Sequence, residues 1–321
     1  MRNAATAAFV ALGLIWGSNF IFMKWASETL TAGQMTLLRV VFGFLPILLY
    51  AVVSGALDRG HVRFLHHYLV MSVLATSLYY FAFAAGTALL ASGIAGALSG
   101  AIPLFSFLTA AILLRSERLT PLRLAGVLVG FGGVLLIARP WDTGGSVDTT
   151  GVLYMLLGSA SVGVSFVYAK KFLSKLAIPP AALVTYQMGL AVPTLALLTD
   201  LDGITDIGDD PRALWALVLG LGLLGTGLAY ILYYFIVDRL GAITGSSVTY
   251  IPPVVALAIG WLLVDEPIDA MDGAGLLLIL AGVLVVVRLG SPGGNEPRPA
   301  DLAETSRGVA GPGESGASLP R

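Results

Sequence analysis

Residues 99–117, SGAIPLFSFLTAAILLRSE, and residues 248–266, VTYIPPVVALAIGWLLVDE, are built alike. Each opens on small and polar residues, passes a proline (Pro103, Pro252), continues as an apolar run and ends on a glutamate (Glu117, Glu266). The register holds at the same offset of 149 through Gly126 and Gly275 to Gly133 and Gly282. Upstream, at an offset of 147, Ser18 matches Ser165, Lys24 matches Lys171 and Pro46 matches Pro193. The chain therefore reads as a duplication, and the number of apolar runs in each copy decides its architecture.

Charged residues make up 12% of the 321 positions and hydrophobic ones 57%, with a mean hydropathy of +0.88. Water cannot solvate a chain of that composition, whereas a bilayer can. A spanning helix takes about 20 apolar residues, and dividing the chain at charges and Pro-Gly clusters predicts ten: 5–24, 33–53, 67–88, 92–114, 121–138, 151–171, 179–199, 213–236, 243–263 and 273–289. The expected fold is an all-α integral membrane protein of two five-helix repeats, 5–138 and 151–289. Residues 290–321 are rich in Pro, Gly, Ser and charge, and are expected to form a disordered cytoplasmic tail. Five spans is an odd number, so the second repeat enters the membrane from the opposite side. Inverted repeats suit alternating access, because exchanging the conformations of the halves turns the opening from one face to the other.

All Lys and Arg residues except Lys24, Arg39, Arg139 and Arg212 fall on the side of the N-terminus or in the tail, while Asp200, Asp202, Asp206, Asp209 and Asp210 crowd one opposite loop. Both termini are accordingly expected in the cytoplasm. The chain has no cysteine, which excludes disulfides and thiolate chemistry, and His61, His66 and His67 share one loop without carboxylates at ligand spacing. No metal, cofactor or nucleic-acid partner is expected. Gly220, Gly222 and Gly225 match the spacing of a dinucleotide fingerprint but sit in an apolar span with no strand before them.

Pro103, Pro252 and Pro253 fall near the middle of spans four and nine, where they are expected to kink the helices and free the carbonyls of Ser99, Val248 and Thr249. At mid-membrane such carbonyls need protein, water or substrate. Around them Trp16, Asn19, Tyr80, Ser99, Ser165, Tyr230 and Tyr250 are the candidate substrate-binding residues, with Tyr79, Ser161, Tyr233 and Tyr234 at comparable depth. The lining they predict is aromatic and hydroxylic without fixed charge, suited to a neutral or zwitterionic amphipathic solute. Arg39 is expected to brace neighbouring helices or to snorkel rather than to bind a carboxylate. Glu117 and Glu266 are expected to join consecutive helices at interfacial turns.

Trp16-Gly17-Ser18-Asn19-Phe20 with Lys24 and Arg39, and the repeated stretch from Pro103 to Glu117 with Gly126 and Gly133, resemble the EamA-type transporters of the drug/metabolite transporter superfamily. The resemblance covers about residues 5–289. It implies a ten-helix exporter or facilitator of small metabolites such as amino acids, multi-pass in a prokaryotic cytoplasmic membrane, with small-molecule substrate and membrane lipid as partners. Its central cavity would be lined by spans 1, 3, 4, 6, 8 and 9. A lipid flippase of the same superfamily and a non-transporting membrane enzyme or helper are the alternatives. No span carries an acidic residue or histidine near its centre, so facilitation or exchange without an obligatory proton is expected.

Overall fold

The computed structural model describes residues 2–114, 120–142 and 147–288, with the side chains of 2, 241–246 and 288 left aside. Glu117 and the tail 290–321 lie outside the described residues. Among those described there is no strand. Nine helices among the described residues are long and apolar enough to span a bilayer: α1 Asn3–Ala26, α2 Ala32–Val53, α3 Arg59–Leu89, α4 Ser92–Leu113, α5 Pro121–Ala138, α6 Thr149–Leu173, α7 Pro180–Leu198, α8 Pro211–Leu240 and α10 Ala270–Val287. Between the last two lies the shorter α9, Ser247–Leu263.

Local chemistry sets the helix starts. Thr31 and Gln34 form a reciprocal capping box at α2. Thr120 and Asp210 cap α5 and α8 just before Pro121 and Pro211, which occupy first-turn positions that need no amide donor. Asp148 caps α6 by accepting from the Gly151 amide at 2.8 Å.

Spans four and nine differ from the sequence expectation. Pro103 does not kink a continuous helix: α4 breaks at Gly100 and Ala101, and a new segment begins at Ile102 with Pro103 in its first turn. Pro252 and Pro253 likewise stand in the first turn of Ile251–Leu263, behind a 3₁₀ turn at Ser247–Tyr250. A proline in a first turn removes only an amide that has no partner there, so the break makes its ring sterically tolerable. The expected start of span nine at 243 is also corrected, because the helix continuing α8 runs on to Ser246.

The halves interlock. The pairs α4–α9 and α5–α10 each join one half to the other, α2 lies against α8, and α3 against α6 and α7. The α5–α10 contact brings backbone to backbone, since a Cβ on Gly133 would collide with the Gly275 carbonyl and one on Gly282 with that of Gly126. Large apolar side chains such as Leu49, Leu128, Leu197 and Leu277 face outward.

At the end of the bundle opposite the N-terminus, called the far end below, polar ties hold the helices together. Lys24 Nζ donates to the carbonyls of Leu90 (2.8 Å) and Ala88 (3.0 Å) at the end of α3. Gln34 Nε2 reaches the carbonyls of Asp202 (2.8 Å) and Asp200 (3.1 Å) across the halves. Glu266 accepts from the amides of Ser92 (2.7 Å) and Gly93 (2.8 Å), so a carboxylate of the second half caps α4 of the first. The expected joint between consecutive helices is thus a joint between the two halves.

Candidate functional site

Three helices relax their winding among the described residues, α6 at its end over Ala169–Leu173 and two others at equivalent places. Val73–Ser77 in α3 and Ala216–Leu228 in α8 are π-helical, and the first range shifted by 149 falls within the second. A wider turn breaks the ordinary hydrogen-bond ladder and often marks a functional position. In α8 the Thr226 hydroxyl donates to the Leu221 carbonyl at 2.8 Å. Its proton thus committed, the oxygen accepts from Arg39 Nε of α2 at 3.1 Å.

Arg39 is 5% exposed. Its Nη1 lies 3.7 Å from the Met23 sulfur, and its guanidinium carbon stands 4.0 Å from the centroid of the Tyr80 ring. With the Asn19 amide turned so that both its ends are satisfied, Asn19 donates to the Ile15 carbonyl (3.3 Å) and accepts from Arg39 Nη2 (3.2 Å). Gly225 permits this approach, since a Cβ there would overlap the Asn19 side chain. No carboxylate is within ion-pair distance of Arg39 among the described residues. Arg39 therefore braces α1, α2, α3 and α8 and does not snorkel. The guanidinium touches two of the candidate residues, Asn19 and Tyr80, so a fixed charge stands beside the aromatic and hydroxylic groups.

Tyr80 leads on to the other aromatic candidates. Its ring lies 4.8 Å from that of Tyr79, and Tyr230 and Tyr234 pack against the same cluster. Tyr230 and Tyr234 are 6.2 Å apart, Tyr234 and Tyr233 6.3 Å, and Tyr233 meets Trp16 at 6.0 Å. Asn19, Arg39 and Tyr80 are buried, whereas Trp16, Tyr79, Tyr230, Tyr233 and Tyr234 are partly exposed. The group thus runs from a dry cation toward less completely buried aromatic rings on the side of the N-terminus.

Ser99 and Ser165 do not join it with free hydroxyls. Each is buried and donates to its own helix, Ser99 to Gly96 (2.6 Å) and Ser165 to Val162 (2.7 Å). Tyr250 packs on the central apolar core, and Ser161 ties α6 to the Leu74 carbonyl of α3 at 2.7 Å.

Thr226, Thr76 and Gln187 were not among the expected residues. Gln187 of α7, 2% exposed, donates through Nε2 to Thr76 in the π-helical stretch of α3 at 3.2 Å. Arg39 and Gln187 are 148 positions apart and Thr76 and Thr226 are 150 apart, and the two joints both cross between the halves, one with a cation and one with a neutral amide. Neither offset of the repeat marks them, since 147 sets Arg39 against Tyr186 and 149 sets Thr226 against Ser77.

The model of the EamA-like transporter family matches residues 4–139 and again 149–288. The chain belongs to the EamA-like transporter family. Among relatives of this EamA-like chain, an uncharacterized transporter of Archaeoglobus fulgidus is 26% identical over 274 residues, spanning 85% of this chain and 95% of its own length. A probable terminal-alkyne amino-acid exporter of Streptantibioticus cattleyicolor is 26% identical over 289 residues, 89% of this chain and 94% of its own. A solved crystal structure 20% identical in sequence superposes with a TM-score of 0.58, covering 90% of this chain and 98% of that one, which shows the shared fold. The EamA-like chain is a multi-pass membrane protein and a transporter of the drug/metabolite superfamily.

Proposed function

We propose that this transporter moves small amphipathic metabolites, amino acids among them, by alternating access, and that its N-terminal side is cytoplasmic. The carrying observation is the passage from buried Arg39, Asn19 and Tyr80 to the less completely buried Tyr230, Tyr233, Tyr234 and Trp16. Above these residues, toward the far end, Phe20, Met23, Leu30, Phe83, Leu90 and Ile94 are buried against one another, and the Glu266, Gln34 and Lys24 ties close the ends of the helices. This packing supports a form closed toward the far end. The candidates Trp16, Asn19, Tyr80 and Tyr230 serve this reading as contacts to substrate, and the exporter named among the relatives supports an amino-acid cargo.

No buried histidine occurs in the group, and its charge is a permanent guanidinium, so it offers nothing that titrates alternately to the two sides. Purified protein in liposomes is expected to accelerate counterflow of L-phenylalanine without an imposed gradient, and a pH step alone to drive no accumulation. Accumulation driven by a pH step and abolished by an uncoupler would overturn the proton-free reading. Absence of counterflow, for this amino acid and for L-leucine, would overturn the amino-acid reading.

Sidedness has its own test, for which the cysteine-free chain is a ready background. Asp206 and Arg63 are exposed at opposite ends of the bundle. In intact cells an impermeant thiol reagent is expected to label Asp206→Cys and not Arg63→Cys; the reverse pattern inverts the topology.

A further inference from the structure

We infer that Arg39 is the anchor for a substrate carboxylate, which makes organic monocarboxylates with an apolar or aromatic body, zwitterionic amino acids included, the class this carrier selects. The inference rests on the transporter reading above and names the specificity-determining residue of its site.

A buried cation without a counter-ion is costly, because the desolvation of the charge is offset only by neutral dipoles. Holding the helices together does not require that charge. A second joint between the halves, from α7 to α3, is made by Gln187 and Thr76 at 3.2 Å, equally dry and without a charge. What the guanidinium adds over the amide is a permanent positive charge and a planar fork of donors.

The fork is incompletely used. Nε serves Thr226 and Nη2 serves Asn19, while the partner of Nη1 is a thioether sulfur at 3.7 Å, a weak acceptor. A carboxylate taking Nη1 and Nη2 together would replace a poor contact and a neutral one by two charge-assisted hydrogen bonds. Asn19 would then turn its oxygen away, and the Tyr80 ring, 4.0 Å from the guanidinium, would cover the pair. The body of the substrate would lie along Tyr79 and Tyr230 toward the less completely buried side. An amide, lacking the negative charge and one of the two acceptors, would leave part of the fork unpaired.

The test uses the full-length protein in liposomes with two probes, L-phenylalanine and L-phenylalaninamide, the latter held at a pH where comparison is made at equal probe concentration. Counterflow of the acid by the wild type is expected to exceed that of the amide by about tenfold or more, the scale of a hydrogen-bonded charge. Arg39→Gln, which installs the residue of the second joint, is expected to remain folded and to lose this preference. Arg39→Lys, which keeps the charge and loses the fork, is expected to retain part of it, and Gln187→Asn to retain all of it. Equal rates for acid and amide in the wild type, or an undiminished preference in both Arg39 variants, would overturn the anchor while leaving the carrier standing. A wild type that moves neither probe would overturn the anchor and the amino-acid reading together.

Discussion

Asp272→Ala is expected to lower the unfolding free energy by about 3 kcal/mol, and Asp269→Ala by less than about 1 kcal/mol. Both carboxylates meet the guanidinium of Arg139 at the far end, Asp272 at 2.6 Å and Asp269 at 2.7 Å. They differ in surroundings, the Asp272 side chain being 1% exposed and that of Asp269 52%. Removing Asp272 leaves the Arg139 guanidinium, which is only 12% exposed, with a half-exposed carboxylate as its counter-ion and strands the Asp269 amide that donates to Asp272 Oδ2 at 3.0 Å. Removing Asp269 leaves Arg139 its buried partner and exposes only caps that water can satisfy. Tryptophan-fluorescence melting in detergent should separate the two variants by several degrees, and equal melting temperatures would show that burial does not decide the strength of this tie. Partial burial pushes the Asp269 carboxyl up, but the amides of Asp272 and Met271 and the Arg139 guanidinium outweigh it and hold it below the usual 3.8. A depressed carboxylate stabilises the fold above its unfolded pKa, so this contribution is in place at neutral pH and is lost only as the pH falls below about 4.

The repeat and the ten apolar runs were legible because both depend on composition over long stretches. Transfer of about 20 residues into lipid leaves little freedom in where a span lies, and a proline, a glutamate and two glycines at one offset are visible without a structure. What Pro103 does locally was not legible, because a kink and a break place the same residue at the same depth. The choice is made by the small residues before it, Gly100 and Ala101, which turn without a long side chain to pack.

The site was half legible for a related reason. Asn19, Tyr80 and Tyr230 stand out as polar groups in apolar helices, and the structure joins them to one group. Ser99 and Ser165 stand out equally, yet a serine in a helix can satisfy its hydroxyl on its own backbone, and both do. The role of Arg39 depends on a partner 187 positions away, Thr226, whose π-helical backbone no periodicity reveals. Reading the two halves against one another at the offset of 147 sets Arg39 against Tyr186, so the likeness of its joint to that of Gln187, and the charge by which the two joints differ, emerge only in the structure.

That difference yields the sharpest expectation for the site. Asn19→Asp places a resident carboxylate where the native amide already stands 3.2 Å from Arg39 Nη2. The buried cation gains a counter-ion held in place by the fold, and a tethered partner competes with a dissolved one at a far higher effective concentration. Two results follow together. The variant should melt no lower than the wild type, because it relieves an uncompensated charge, and its counterflow of L-phenylalanine should fall at least about tenfold, to the level of the amide. Asn19→Leu separates the causes, since it removes a hydrogen-bond acceptor from the guanidinium and supplies no charge, and it should melt lower with the acid preference partly kept. A structural brace at Arg39 makes the opposite forecast, that a stronger brace transports as well as the native one. Loss of transport with gain of stability in a single substitution is the combination a purely structural Arg39 does not produce, and Asn19→Asp moving L-phenylalanine at the wild-type rate would show that Arg39 does not hold the substrate.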